Sequence, residues 1–558
     1  MWNLVLDGLF DLSLPEGCHL QAFADDVLLI VQAKSASRLQ ETADEALHQI
    51  NNWGLDSKLS FGPSKTVAIT FTNKARKCRI HMDGHVIPFH NHIKLLGVII
   101  DRKLTFIQHV NHTIEKCTKL YHKIIKFIRS TWGVSPGNIR TIYHQVIEPI
   151  ICYASGIWSS ALKFKLCQNK LTSLQRSFAI TIIRGFRTIS TPAAIVLAGL
   201  HPICGRVRAA AQAELARVRR VAGILPHDIP LDSPTPPSDL LHPRQRRGIS
   251  FMEADSAEEL THILDPTSFT CYTDGSKHHG KVGAAVVIRN PSGSTVLSKK
   301  LKLHDVCSVF QAEMAAIDQA CQLIITKKLS PAIILTDSKS SLMELSNHNS
   351  TNHLCNNIFK SLQLAKHHNI NISFIWIRSH IGISGNEEAD LAAKSAANSH
   401  SSPSFCKFPL SYIKHHFMQL SKAELEDLYD ATDNCQYTKQ WCSNYAELLL
   451  VIQAFPPNFH FTQLLTGHSY SKSYLKRFGI NSDDKCPCND DAPQTMEHLV
   501  KECPRFGPTR LDHETACSMV RVSEPFHLPS IIKHQSTIDT FTSHISYIIH
   551  NLKHFNQT

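Results

Sequence analysis

The apolar positions of the chain fall into four regimes. Residues 1 to about 75 alternate short apolar runs with polar turns: VLLIV, then SRLQETADEALHQINNWG, then TVAITFT. The outer two predict strands and the middle one an amphipathic helix, an α/β piece with a hairpin around Asp25 and Asp26. From 76 to 220 the period becomes helical and the polar positions basic, as in EKCTKLYHKIIKFIRSTWG and GRVRAAAQAELARVRRVAG. The proline-rich GILPHDIPLDSPTPPSDLLHPRQRRG has no period, and 221–265 is expected to be a linker.

Residues 266–398 carry the clearest pattern. SFTCYTDGS, KVGAAVVIRN and STVLSKKLKL predict three strands joined by Gly, Pro and Ser turns. A helix around QAEMAAIDQACQLI places Met314, Ile317, Cys321 and Ile324 on one face. The buried strand AIILTDS, a helical stretch and the strand ISFIWIRS follow. A last helix is expected at SGNEEADLAAKSAA, where Ser384 and Glu387 have capping-box spacing. Beyond it, 399–480 reads as helical, 481–508 as a small Cys/His segment and 509–558 as a polar, His-rich tail.

Composition narrows the class. At 558 residues the chain exceeds one hydrophobic core, and with 43% hydrophobic and 19% charged residues it is globular rather than disordered. The formal charge of +11 suits a polyanionic partner. No run of about 18 apolar residues predicts a membrane span. The first residues lack the features of a secretory leader, so the 17 cysteines are expected to be reduced thiols in an intracellular protein of nucleus or cytoplasm.

Candidate chemistry concentrates in 266–398. Asp274 follows the first strand there, Glu313 opens a helix, Asp337 follows a buried strand and Asp390 sits in the last helix. Carboxylates at strand ends and on helices against the same sheet can converge, and at about 4 Å their repulsion costs several kcal/mol without a cation. Two Mg²⁺ ions, with Mn²⁺ as a substitute, would make them a cage of hard oxygen ligands able to orient a water and stabilise a leaving 3′-oxygen. Ala312, Ala316 and Ala320 would let the Glu313 helix lie close to the sheet, and Gly275 and Ser276 would admit a nucleic-acid backbone. His380, on a loop freed by Gly382 and Gly385, could shuttle a proton.

YTDGS, QAEMAAI, LTDS and IRSHIGISGNEEADLAA resemble, in order, the motifs of type 1 ribonuclease H. That resemblance implies a mixed five-stranded sheet with helices on its faces. It also implies Mg²⁺-dependent cleavage of the RNA strand of RNA–DNA hybrids. Asp274, Glu313, Asp337 and Asp390 would then hold the metals, with His380 assisting product release or proton transfer. The basic handle helix of some bacterial members is not evident, so neighbouring domains are expected to help grip the substrate.

AFADDVLLIV is similar to the hairpin of reverse transcriptases, and LSFGPSKTVAITF and HIKLLGVIIDRKLTF to the next motifs of that palm. The basic helices through LQRSFAITIIRGFRTIS resemble the thumb of non-LTR (LINE-like) retrotransposon polymerases. The fingers and the earlier metal aspartate of that family are expected to be missing. Asp25 and Asp26 are therefore expected to be a vestigial polymerase site. Cys486, Cys488, His498 and Cys503 have the spacing C-x-C-x₉-H-x₄-C, able to close a tetrahedral Zn²⁺ site, and resemble the terminal cluster of non-LTR elements. Lys485, Lys501 and Arg505 beside it suit phosphates. The whole reads as a truncated retrotransposon polyprotein whose intact catalytic unit is a ribonuclease H. The alternatives are a polymerase remnant inactive by itself, or a nucleic-acid-binding protein with an idle nuclease.

Overall fold

A computed structural model describes residues 2–128, 132–219, 229–242, 244–246, 248–431 and 435–556. It divides into two units, Met1–Arg208 with Glu424–Thr558, and Ala209–Ala423.

In the first unit, helix α1 (Trp2–Phe10) precedes the antiparallel hairpin β1 (Cys18–Phe23) and β2 (Asp26–Val31). Phe23 pairs with Asp26, so the loop is Ala24 and Asp25, with Ala24 at a positive φ of 52° as primed two-residue turns require. Helix α2 (Ala36–Asp56) buries Thr42, Ala43, Ala46, Ile50 and Gly54, the stripe its sequence shows, and is capped by Ser35. TVAITFT does not form the expected strand: only an isolated bridge, Ala68 with Phe89, survives there. Its alternation is real, but no neighbouring strand pairs with it. Helices α3 (Ile107–Ile125) and α4 (Lys165–Ile182) then enter a large core with Tyr143, Trp158, Leu171 and Phe178.

The second unit centres on a six-stranded sheet rather than the expected five. Strand β3 (Met252–Ala254) and helix α5 (Ala257–Ile263) come from the stretch expected to be a linker. Next come β4 (Phe269–His278), β5 (Lys281–Arg289), β6 (Thr295–Leu303), helix α6 (Val309–Lys327) and β7 (Ala332–Thr336). Helices α7 (Lys339–Ser346) and α8 (His353–His367), strand β8 (Ile372–Ile377) and helix α9 (Ser384–Ala397) complete it. The sheet order is β6-β5-β4-β7-β8-β3, antiparallel across β6, β5 and β4 and parallel from β4 onward.

Residues 229–249 are likewise no free linker. Ile229 and Leu231 are buried, the Asp232 and Ile249 N–H groups donate to Phe408 and Leu345 carbonyls, and Asp232 accepts from Gln311 at 2.8 Å. Proline suppresses periodicity without preventing a strap from binding through its remaining backbone groups. Residues 221–228, 243 and 247 of that expected linker lie outside the described residues.

The expected tail is also core. Helices α10 (Gly507–Met519) and α11 (Gln535–Phe555) pack on each other, and Phe541, Ile545, Ile548 and Leu552 join the same core as Phe178. Two histidines there, His513 and His544, are buried and bonded, His544 through Nδ1 with Thr509 and Nε2 to the Val500 carbonyl. The His and Thr content that makes the segment look polar is internally satisfied. Among the described residues no helix is long and apolar enough to cross a membrane.

Candidate metal centres

Parallel pairing of β4 with β7 puts Thr273 opposite Thr336, so Asp274 and Asp337 occupy the next position on adjacent strands. Strand β4 runs on to His278, so Asp274 lies within the strand and not after it. Two-residue alternation gives Tyr272 and Asp274 one face, covered by α9, and Gly275 the other, beneath α6. A Cβ on Gly275 would lie 2.5 Å from the Glu313 backbone nitrogen. The absence of that Cβ lets α6 bring Glu313 to the strand. The expected substrate-facing role of Gly275 thus becomes a packing role, since the residue is buried, while Ser276 beside it is half-buried. Ala312, Ala316 and Ala320 are fully buried, as a close helix needs.

One carboxylate oxygen from each of Asp274, Glu313 and Asp337 lies within 4.8 Å of the other two. Asp274 and Glu313 are buried, and Asp274 Oδ2 and Glu313 Oε2 have no hydrogen-bond partner. Burial, then the charges of Asp337 and Asp390, push the Asp274 carboxyl up to about 7. Burial, then Asp274 and Asp337, raise Glu313 well above the usual carboxylate range. Asp337 is raised by burial against the opposing effects of an Asn386 hydrogen bond and the nearby His380. Orphaned buried oxygens in a like-charge cluster are the donor set of a hard divalent cation.

Asp390 stands outside the tight trio but close enough for its charge to be felt at Asp274 and Asp337. Its Oδ2 accepts from Lys394 Nζ at 2.6 Å, one helical turn on. His380 is exposed, at a positive φ of 59°, beside Gly382 at 81°. Gly385 is not part of that loop: it lies in α9, where a Cβ would strike the Tyr272 ring. The expected Ser384 cap is also absent, because α9 starts at Ser384 itself, whose hydroxyl accepts from Arg289 at 2.9 Å. The capping box belongs instead to α6, between Ser308 and Gln311. That S-x-x-Q pattern is in the sequence, and could have placed the helix start. Two further residues at the site carry no motif of their own: Asn386, on Asp337, and Trp376, whose indole N–H donates to the Asp337 carbonyl at 3.0 Å.

Cys486, Cys488, His498 and Cys503 also converge, with ligand atoms within 4.8 Å of one another. Cys488 Sγ lies 3.1 Å from Cys486 Sγ and 3.2 Å from His498 Nε2. Glu502 meets His498 Nδ1 at 3.3 Å, which aims Nε2 at the thiols. Burial and the neighbouring thiols push Cys488 up to about 12. The small Cys/His segment expected at 481–508 is not a unit apart: Cys486, Met496, Leu499, Val500, Cys503 and Phe506 belong to the large core of the first unit. Lys501 pairs with Glu497 and lies over Trp441, and Arg505 lies over Phe555. Asp25 and Asp26 are exposed at the hairpin turn, and among the described residues no cluster of three potential metal ligands includes them.

Residues 266–398 match the family model described as RNase H. The chain is 27% identical over 204 residues to a 115 kDa protein of the type-1 retrotransposable element R1DM of Drosophila melanogaster, covering 36% of this chain and 20% of that one. It is 30% identical over 206 residues to a Pol polyprotein from type-1 retrotransposable element R1 of Nasonia vitripennis, covering 33% of this chain and 52% of that one. The chain therefore matches only part of the length of these relatives. Among solved structures, LC11-RNase H1 in complex with RNA/DNA hybrid aligns at 19% identity and a TM-score of 0.21, covering 24% of this chain and 97% of that one.

Proposed function

We propose, for a chain that carries an RNase H domain and resembles Pol polyproteins of LINE-like retrotransposons, that residues 266–398 hydrolyse the RNA strand of RNA–DNA hybrids. The observation that carries this reading is the convergence of Asp274, Glu313 and Asp337 with two buried oxygens left unpartnered. These three, with Asp390, would hold Mg²⁺. Held by these carboxylates, divalent cations would supply Lewis acidity for hydrolysis of the phosphodiester.

The chain's own residues do the rest. Trp376 and Asn386 fix Asp337 from its carbonyl and carboxylate sides. Lys394 holds the Asp390 carboxylate in one rotamer. His380, exposed on its loop, carries a proton on an imidazole nitrogen to the 3′-oxygen as the P–O3′ bond breaks, giving 3′-hydroxyl and 5′-phosphate ends. Zn²⁺ is the reading for the Cys₃His cluster, as a structural ion. No polymerase step is assigned to Asp25 and Asp26.

The test is cleavage of an end-labelled RNA–DNA hybrid by the purified chain in Mg²⁺. Cutting of the RNA strand by wild type and its loss in Asp274→Asn are expected. Equal cutting by that variant overturns the assignment.

A further inference from the structure

The first unit holds a groove that the nuclease reading does not use. It runs between α3 and α4 as two adjoining clefts of about 510 and 880 Å³, which share Tyr121, His122 and Ser177. From Lys170 to Arg184 it follows α4 for roughly 20 Å. We propose that this groove binds a single-stranded polynucleotide, with phosphates on its arginines and unstacked bases on its aromatic wall. The proposal builds on the expectation that domains flanking the nuclease bind nucleic acid, and it assigns that role to named residues.

Charge is the first observation. Between Lys116 and Ser190 the sequence has seven lysines and five arginines but one acid, Glu148. That acid is buried and paired with Arg206 at 2.6 Å, so it subtracts nothing from the surface. Three of the arginines, Arg176, Arg184 and Arg187, line the larger cleft. Two are held by backbone carbonyls: Arg176 donates to those of Arg187 and Ile189, and Arg184 to that of Val134. A guanidinium has five N–H groups, so one braced in this way can still present others to a phosphate. Among the described residues the single carboxylate lining either cleft, Glu115, is paired with Lys119 at 2.6 Å.

Phe186, Phe459 and Tyr470 line the same cleft. Phe186 meets Tyr470 at 5.5 Å edge-on, Phe459 at 6.4 Å and Tyr474 at 6.0 Å. Tyr474 in turn meets Phe478 at 4.9 Å, whose ring is 44% exposed. The strip therefore leads from the cleft to the surface. Thr188 anchors it by bonding both Tyr474 and His468. Interleaved cations and aromatic faces suit a strand whose bases are free to stack, because each base has a π-face whatever its identity. A duplex keeps those faces covered, which favours the single strand.

Binding of a fluorescent 12-nucleotide strand to the full chain, followed by anisotropy in EDTA, tests this. RNA and DNA versions of the strand assign the sugar. Arg187→Glu should weaken binding at least tenfold relative to Lys34→Glu, the same charge change on an exposed residue away from the groove. It should also lower the slope of log K against log salt by about 0.7 for each phosphate that the variant no longer neutralises. A photoreactive strand should cross-link to peptides containing Phe186 or Tyr470. Equal binding by the two variants, equal competition by a blunt duplex of that length, or equal competition by AMP each overturns the proposal. The nuclease reading fails separately. Asp274→Asn should bind the strand as wild type does, and Arg187→Glu should still cut a short hybrid.

Discussion

Removing one charge from the carboxylate trio should stabilise the metal-free protein. With the Asp274 carboxyl at about 7 rather than 3.8, its ionisation opposes folding by ~4 kcal/mol. The folded state keeps this proton to a higher pH than the unfolded chain does. The stability it contributes is therefore complete below about pH 4 and is lost as pH rises through 7. Asp274→Asn abolishes that titration. Its metal-free form at pH 8 should open ~1–4 kcal/mol less readily than wild type, the lower figure allowing for a buried amide without partners. Mg²⁺ narrows the gap, since at a hundredfold excess over Kd it adds ~2.7 kcal/mol to wild type and less to the variant. A chain of two units does not unfold in one step, so the readout is local. Amide exchange in β4 and α6 peptides, corrected for intrinsic rates, reports opening of this sheet in EDTA at pH 5 and pH 8. Equal protection of wild type and variant at pH 8, or wild-type protection that rises from pH 5 to 8, would refute the reasoning.

Gly275→Ala should cost ~1–3 kcal/mol and most hybrid cleavage, because its Cβ meets α6 backbone 2.5 Å away and displaces Glu313. Melting and cleavage rate measured on one preparation check both effects, and wild-type cleavage would place Glu313 outside the reaction. Cys486→Ser should release one Zn²⁺ per chain by elemental analysis and loosen exchange in Met496–Lys501. An unchanged zinc content would remove the cluster from the metal reading.

The candidate catalytic carboxylates are legible in the sequence because each is tied to a local signal. A short apolar run ending in TD marks a strand, and EADLAA or QAEMAA marks a helix with a small-residue face. What binds them together is non-local: the parallel register of β4 with β7 and the missing Cβ at Gly275. The sixth strand leaves no pattern because Met252–Ala254 is only three residues, too short for alternation to show. The tail misleads for a different reason. Its helix α11 does carry Phe541, Ile545, Ile548 and Leu552 on one stripe, but buried His544 and Thr537 give the segment a polar composition. Composition counts polar residues without knowing which are bonded inside.

The two candidate metal centres answer loss of their ions by protonation, and at different pH. Near neutrality the metal-free trio can hold a proton on Asp274, which relieves part of its repulsion without unfolding the sheet around it. Cation binding must displace that proton, so affinity should rise as pH climbs toward 7, the Asp274 contribution levelling off above it. Among the thiols, burial and mutual repulsion keep Cys488 protonated up to about 12 when no metal is present. Zinc binding there releases protons throughout the neutral range. Because Cys486 and Cys503 are themselves core residues, their side chains can stay packed as small apolar groups. The metal-free cluster then resembles ordinary core, so the helices around it can keep their packing. A pH shift from 6 to 8 should therefore gate the carboxylate centre strongly while leaving the fold around the cysteines intact.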